Sequence, residues 1–268
     1  MEYLRTEFFA NLSHEFRTPL NVILGALQLI ELKVNNGNEL KIEKFEANIK
    51  TMKQNCLRLL RLINNLIDIT KIDAGFFQLD LKNYNIVSII EEITLSIAEY
   101  TKSKGISLIF DTDTEEKIIA CDPDKIERII LNIISNSIKL NNKGGTIKVE
   151  VCVAGENVKI IINDNGTGIP EDKLGIIFER FRQANKSTIR NNEGSGIGLS
   201  LVKSLVEMHS GTIAVESKYK EGCKFIITLP SRVLDGDNAV SSHSSTAFQS
   251  NHVEKINVEF SDIYFNSI

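Results

Sequence analysis

Tryptophan is absent from the 268 residues, proline and cysteine occur only four times each, and aromatic residues make up 7%. The cysteines, Cys56, Cys121, Cys152 and Cys223, form no C-x-x-C pair and no metal-ligand spacing. That excludes a disulfide framework and a zinc site, and fits reduced thiols whose role is packing. No apolar run approaches the roughly 18 residues that cross a bilayer, and no charged-then-apolar leader opens the chain, so a cytoplasmic protein is expected. Charge of one sign is lacking too: 31 basic against 35 acidic side chains leave −4. There is thus no basic surplus of the kind that marks a nucleic-acid binder, and no polybasic membrane anchor. What is present, 42% hydrophobic and 25% charged residues, is ordinary for a globular protein of about two domains.

The first seventy or so residues carry a helical period and almost no strand signal. Phe9, Leu12, Phe16, Leu20, Ile23, Leu27, Ile30 and Val34 recur at helical spacing, with one four-four step around Pro19. Phe45, Ile49, Met52, Cys56, Leu59, Ile63 and Leu66 alternate by four and three, the seam of a bundle helix. Asn35-Asn36-Gly37-Asn38 between them reads as a turn. Two helices cannot enclose a core alone, so this hairpin predicts pairing with another, most simply as a homodimeric four-helix bundle; a coiled-coil spacer is the alternative.

From about Phe77 the period changes to strand-like runs at 106–110, 117–121, 146–153, 158–163, 212–217 and 223–229. They alternate with helical stretches at 86–103, 123–140 and 197–209. The link Ala154-Gly155-Glu156-Asn157 joins adjacent strands as a hairpin, so the sheet is mixed or antiparallel rather than a βαβ series. The expected fold class is α+β: an antiparallel helical hairpin over 1–75 and an α/β sandwich with a mixed sheet over 76–230. Residues 231–268 are expected to be a linker and tail, mostly disordered, with 234–252 rich in serine and asparagine. The pattern Ile256-Asn257-Val258-Glu259-Phe260 alternates like a short strand, which either adds to a sheet edge or is a sticky tail.

Two groups of residues carry chemistry. On the first helix, His14 sits about 200° from Leu12 and from Phe16, away from the buried seam and toward solvent. Glu15 is its neighbour and Thr18 lies one turn on. A carboxylate beside an imidazole can hold one nitrogen as N–H and leave the other lone pair free to attack phosphorus, although an exposed polar face alone has the same composition. Pro19 removes a helical hydrogen bond just beyond the histidine. In the second region Asn132, Asn136 and Lys139 stand at i, i+4 and i+7 on one helix face. An amide oxygen suits Mg²⁺, and a lysine offsets phosphate charge; a solvated face is the plain alternative. Asp164-Asn165-Gly166-Thr167-Gly168-Ile169-Pro170 follows the apolar strand Ile160-Ile161-Ile162, and is either a tight turn or a carboxylate placed for the exocyclic amine of adenine. Gly194-Ser195-Gly196-Ile197-Gly198-Leu199 opens a helix, where glycines let backbone N–H groups approach a phosphate. The stretch before it, 181–193, is polar and carries Arg182, Lys186 and Arg190, like a basic lid over an anionic ligand. The glycine spacing is not that of a dinucleotide fingerprint after a strand, and there is no Walker motif.

In this order the motifs resemble the cytoplasmic core of sensor histidine kinases of two-component systems, over roughly residues 5 to 230. His14-Glu15-Phe16-Arg17-Thr18-Pro19 is similar to the phosphoacceptor box and Asn132 through Lys139 to the asparagine box. Asp164 through Gly168 and Gly194 through Gly198 resemble the two glycine boxes, with Phe178-Glu179-Arg180-Phe181 as the phenylalanine box between them. The resemblance implies a dimerisation and histidine phosphotransfer domain followed by a Bergerat-type ATP-binding domain. It implies ATP with Asp164 on the adenine amine, Mg²⁺ on Asn136, and Asn132 and Lys139 toward the phosphates. Gly166, Gly168, Gly194, Gly196 and Gly198 would let the backbone close around the nucleotide, with Ile169, Phe178, Arg182 and Leu199 completing the binding set. His14 would attack the γ-phosphate with Glu15 as acid/base partner, and the phosphate would pass to an aspartate of a separate response regulator. Glu15 and Thr18, spaced E-x-x-T, also match the pattern associated with dephosphorylating that regulator. A nucleotide-responsive dimeric scaffold with weak catalysis is the remaining alternative.

One departure stands out: after Lys139 the family has an aromatic residue and then threonine or serine, where this chain has Leu140-Asn141. That puts the adenine-side packing and the affinity for ATP in question. Only thirteen residues precede His14, so the chain is expected to be either a core cut from a longer protein or a stand-alone kinase served by a separate sensor protein.

Overall fold

The computed structural model describes residues 2–35, 42–180, 196–235 and 253–261. The turn expected at 35–38 falls almost wholly outside them, as do Arg182, Gly194 and the basic stretch 181–193.

Two long helices, α1 (Glu2–Asn35) and α2 (Ile42–Asp73), form the hairpin, and α1 runs through Pro19. Their apolar seams are only partly covered within one chain. Leu20, Leu27 and Val34 of α1 and Phe45, Ile49 and Ile63 of α2 remain exposed. A different stripe of α2 is buried, Asn55, Arg58, Arg61, Leu62, Asn65 and Ile69, spaced so that all lie on one side of the helix. Its polar members have partners: Arg58 faces Glu15 of α1, Arg61 donates to Glu259, and Asn65 accepts from Arg128 of the second domain.

That domain comprises β1 (Lys82–Asn85), α3 (Ile86–Ser96), α4 (Ala98–Ser103), β2 (Ser107–Thr112), β3 (Ile118–Cys121), α5 (Pro123–Lys139), β4 (Thr146–Ala154) and β5 (Asn157–Asp164). It continues through α6 (Glu171–Leu174), α7 (Gly198–Met208), β6 (Thr212–Lys218) and β7 (Gly222–Pro230). Five strands make a sheet of order β2-β4-β5-β7-β6, with β2 and β4 parallel and the other neighbours antiparallel; β1 and β3 form a separate antiparallel pair. The mixed sheet and the β4–β5 hairpin through Gly155 follow the sequence expectation. Alternate residues of β4 and β5, Ile147, Val149 and Val151 with Val158, Ile160 and Ile162, are buried in one core with Ile90 of α3, Ile130 and Ile134 of α5 and Leu201 and Leu205 of α7. A period of two thus gives the sheet one apolar face, and the helices cover it.

Local chemistry fixes the helix starts. Asn85 caps α3, accepting from the Val87 N–H at 3.2 Å. Asp122 caps α5, accepting from the Lys125 N–H at 3.3 Å ahead of Pro123 in the first turn. The helix expected over 86–103 is broken at Ile97 (φ −107°, ψ 1°), whose side chain is fully buried. The strand expected at 256–260 is corrected: residues 253–259 form a last helix, α8. Val258, Glu259, Phe260 and Ser261 are all buried, so the segment lies with consecutive residues enclosed rather than with alternate ones facing out.

Candidate nucleotide and phosphoacceptor site

Helix α5 is the axis of the site. Arg128 reaches α2 from the first half of the helix and Asn132 meets Glu259 from its middle, while Asn136 and Lys139 are half-buried nearer its C-terminal end. Asn132 is 1% exposed; its Nδ2 donates to Glu259 Oε2 at 3.3 Å, and its Oδ1 is buried with no partner among the described residues. Helix α7 begins against this amide. A Cβ added to Gly198 would lie 2.4 Å from Asn132 Oδ1, so the glycine is required by close approach and not by its dihedral angles. The asparagine and second glycine motifs, 62 residues apart from Asn136 to Gly198, therefore meet.

Asp164 ends β5 and is 6% exposed. Its Oδ2 accepts from Ser137 Oγ at 2.8 Å and its Oδ1 from the Gly166 N–H at 2.9 Å. Burial pushes its carboxyl above the usual carboxylate range, while the bonds from Ser137, Gly166 and the Cys223 backbone pull the other way. Each oxygen retains acceptor capacity beyond its bond to Ser137 or to Gly166. The loop that follows is fastened to its neighbours by main chain. Thr167 N–H donates to the Leu140 carbonyl at 2.9 Å and Lys220 N–H to the Thr167 carbonyl at 2.7 Å. At Gly168, φ is +61° and a Cβ would meet the Lys218 carbonyl at 2.2 Å, so only glycine fits. Ile169 is buried, with its N–H on Ser217 Oγ at 2.8 Å. Leu140 contributes its carbonyl here, which any residue supplies. The departure at Leu140-Asn141 therefore leaves the fastening of the loop intact.

Phe178 packs edge-on to Phe225 with centroids 6.5 Å apart, and Leu199 lies against the core. Gly166 stands between Asp164 and Leu140, and Gly196 has φ +64° just before α7. Arg180 reaches back to the end of α2, its Nη2 2.6 Å from Asp73 Oδ1.

On the hairpin, His14 is exposed, as its helical angle required, and so is Thr18, whose hydroxyl donates to the His14 carbonyl at 3.2 Å. Glu15 is half-buried and faces Arg58 of α2 at 3.9 Å. Sequence reasoning missed four residues that shape the site: Ser137 on Asp164, and Arg61, Arg128 and Glu259 around Asn132. Ser137 lies within the motif that was recognised but on the sheet-facing side of α5, a position with no marker of its own.

Two family models match the chain. A His Kinase A (phospho-acceptor) domain matches residues 4–75, and a histidine kinase-, DNA gyrase B- and HSP90-like ATPase domain matches residues 121–233. Histidine kinase P4 of Formosa agariphila is 35% identical over 229 residues, covering 84% of this chain and 16% of that protein. Autoinducer 2 sensor kinase/phosphatase LuxQ of Vibrio cholerae is 32% identical over 241 residues, covering 88% of this chain and 27% of that one. Among solved structures, full-length ShkA in complex with AMPPNP is 26% identical with a TM-score of 0.62, covering 84% of this chain and 45% of that chain. The chain thus spans under half the length of each of these relatives, from 16% to 45%. With both domains matched in order, the fold shared and the motif residues gathered around α5, the chain belongs to the histidine kinases of two-component systems, of which it carries the phosphoacceptor and ATPase core.

Proposed function

We propose that this core binds ATP with Mg²⁺, phosphorylates itself on His14 and passes the phosphate to an aspartate of a separate response regulator. The observation that carries this is the convergence of the asparagine helix, the Asp164 loop and the Gly198 helix start in one domain, beside a hairpin that holds His14 out to solvent.

The residues present fit the nucleotide. Asn132 Oδ1 is a buried acceptor without a described partner, which suits the cation or a water that accompanies the phosphates, and the glycines at 166, 168 and 198 keep backbone open where a side chain would intrude. Asp164 is prepared as an acceptor for the adenine amine, since Ser137 and Gly166 already orient its oxygens. Asn132 and Lys139 take the phosphate side, with Ile169, Phe178 and Leu199 on the apolar wall and Gly196 just before α7; Arg182 and Gly194 belong to the same proposed binding set and lie outside the described residues. Asn136 would hold Mg²⁺, an ion that needs few protein oxygens when phosphates supply the others, and whose charge offsets that of the transferring group. Transfer forms a bond from an imidazole nitrogen of His14 to the γ-phosphorus and breaks the bond to the bridging oxygen, which leaves with ADP. Glu15, held by Arg58, would steer the imidazole and take its proton.

The exposed apolar seam of the hairpin, including Leu20, Leu27, Ile49 and Ile63, suits a second copy in a four-helix bundle. A second activity, hydrolysis of the regulator's phosphate, is favoured by the exposed Thr18 one turn beyond His14, and the Vibrio relative carries both activities in its name. The test is incubation of the chain with γ-labelled ATP and Mg²⁺ beside His14→Gln and Asn136→Ala. An acid-labile label absent from both variants supports the proposal; a label retained by His14→Gln overturns it.

A further inference from the structure

Helix α8 and the two residues after it lie where the two domains meet. Lys255 Nζ donates to Asp124 Oδ1 at 2.7 Å and to Glu127 Oε2 at 2.8 Å, both on α5. Phe260 is fully buried, its ring 5.0 Å from that of Tyr100 on α4. The Ser261 carbonyl accepts from Gln54 Nε2 of α2 at 3.0 Å, and the Glu259 carbonyl from Ser135 Oγ of α5 at 3.3 Å. The segment therefore touches both the hairpin and the ATPase domain.

At its centre is a buried carboxylate. Glu259 Oε2 accepts from Arg61 Nε of α2 at 2.9 Å and from Asn132 Nδ2 of α5 at 3.3 Å, and Oε1 lies 3.8 Å from Arg128 Nε. The side chain is 8% exposed. An anion fixed on two guanidinium groups and an amide stands where a phosphate would find the same partners, and its charge repels one. Its height along the hairpin is also telling. Arg61 is three residues from Arg58, about 4.5 Å of helix rise, and Arg58 holds Glu15 beside His14. The carboxylate thus lies between α2 and the asparagine helix within one turn of the level of the phosphoacceptor box.

We propose that residues 253–261 form an intramolecular latch. Glu259 occupies the Asn132 end of the nucleotide site, and Phe260 and Lys255 hold the segment across the domain junction. Release of the latch admits the nucleotide phosphates and removes the bridge that Glu259 makes between Arg61 of α2 and Asn132 of α5. The proposal rests on the nucleotide site described above. A buried ion pair returns little free energy beyond what its partners gain in water, so docking of this kind is reversible. A latch closed nine times in ten lowers apparent nucleotide affinity about tenfold, since only the open fraction binds.

The test uses the whole chain, Glu259→Gln, which keeps the shape and removes the charge, and Phe260→Ser, which weakens docking away from the nucleotide site. Binding of AMPPNP with Mg²⁺ is titrated for each, and hydrogen exchange of the 253–261 amides is followed with and without the nucleotide. The latch requires affinity about tenfold tighter in both variants, and faster exchange of the segment in the unaltered chain when AMPPNP is bound. If Glu259→Gln fails to fold, Phe260→Ser and the exchange measurement carry the result. Equal binding by all chains with unchanged exchange overturns the latch alone, whereas no binding by any chain overturns the nucleotide site and the latch with it.

Discussion

Asp164 shows how much of this site depends on a hydroxyl that bears no motif. Ser137 is 2% exposed and donates to the carboxylate that burial is pushing toward its neutral form. Ser137→Ala leaves a buried acceptor short of a donor, a change that costs about 1–3 kcal/mol. The expected outcome is a lower midpoint in thermal unfolding and weaker AMPPNP binding, with Ser137→Thr restoring part of both. His209 makes a second residue-level test. The Asp122 N–H donates to its Nε2 at 3.2 Å, which requires that nitrogen to be the acceptor, and so Nδ1–H donates to the Leu205 carbonyl at 2.8 Å. The ring is buried in the neutral form, and burial lowers its pKa. The folded state then binds fewer protons than the unfolded one. Stability contributed by neutral His209 is complete above the unfolded value of about 6.5 and is lost as pH falls below it toward the lowered folded value. Urea unfolding at pH 7.5 and pH 5.5 should show this loss in the native chain and a smaller one in His209→Gln.

Elements with a strong period were legible from the sequence, and those defined by tertiary partners were not. Helix α5 is unmistakable, with Asp122-Pro123 at its start and apolar residues around most of its circumference. Strands β4 and β5 are equally plain, because Ile and Val alternate and Gly155 turns the chain. The strand Lys82–Asn85 escaped because Lys-Asn-Tyr-Asn has no alternation; its pairing with Ile118–Cys121 makes it a strand. At 256–260 the apolar alternation was real but misleading. Phe260 and Glu259 are both buried, each by a partner distant in sequence, and the backbone between Val253 and Glu259 takes the helical form that lets consecutive residues be enclosed. Of the candidate site, His14, the asparagines and the glycines were visible, because each has a chemical reason to stand at its spacing. Arg61 and Arg128 were not, since an arginine on a helix reads as a solvated face until its partner is known. Helix α7 offers the element-level prediction. Gly198→Ala drives a methyl group to within 2.4 Å of Asn132 Oδ1, and overpacking of this kind costs about 1–3 kcal/mol of stability, so a lower midpoint in thermal unfolding is expected together with weaker AMPPNP binding. Far-ultraviolet circular dichroism should remain that of a folded chain.

Across the whole molecule, the two domains are joined by ion pairs of unequal depth. Arg128 of α5 meets Asp68 and Asn65 of α2, and both side chains of that ion pair are less than one-fifth exposed. Arg180 meets Asp73 where the side chains are 36% and 51% exposed. Solvent and salt weaken the second pair, so Arg180→Ala is expected to change stability by less than about 1 kcal/mol. Arg128→Ala leaves Asp68 and Glu259 facing each other's neighbourhood without their shared cation, and should cost about 3 kcal/mol. Chemical denaturation of the two variants separates them, and similar losses in both would contradict this ranking. The same junction brings the asparagine helix to the hairpin that bears His14, and the proposed phosphoryl transfer requires the two to work together. The most direct test of that account is to locate the phosphate after the chain has been incubated with ATP and Mg²⁺ and digested at alkaline pH. Phosphate on the peptide containing His14, and nowhere in His14→Gln, is the expected result. Phosphate on another residue, or none in a chain that binds AMPPNP, would contradict it.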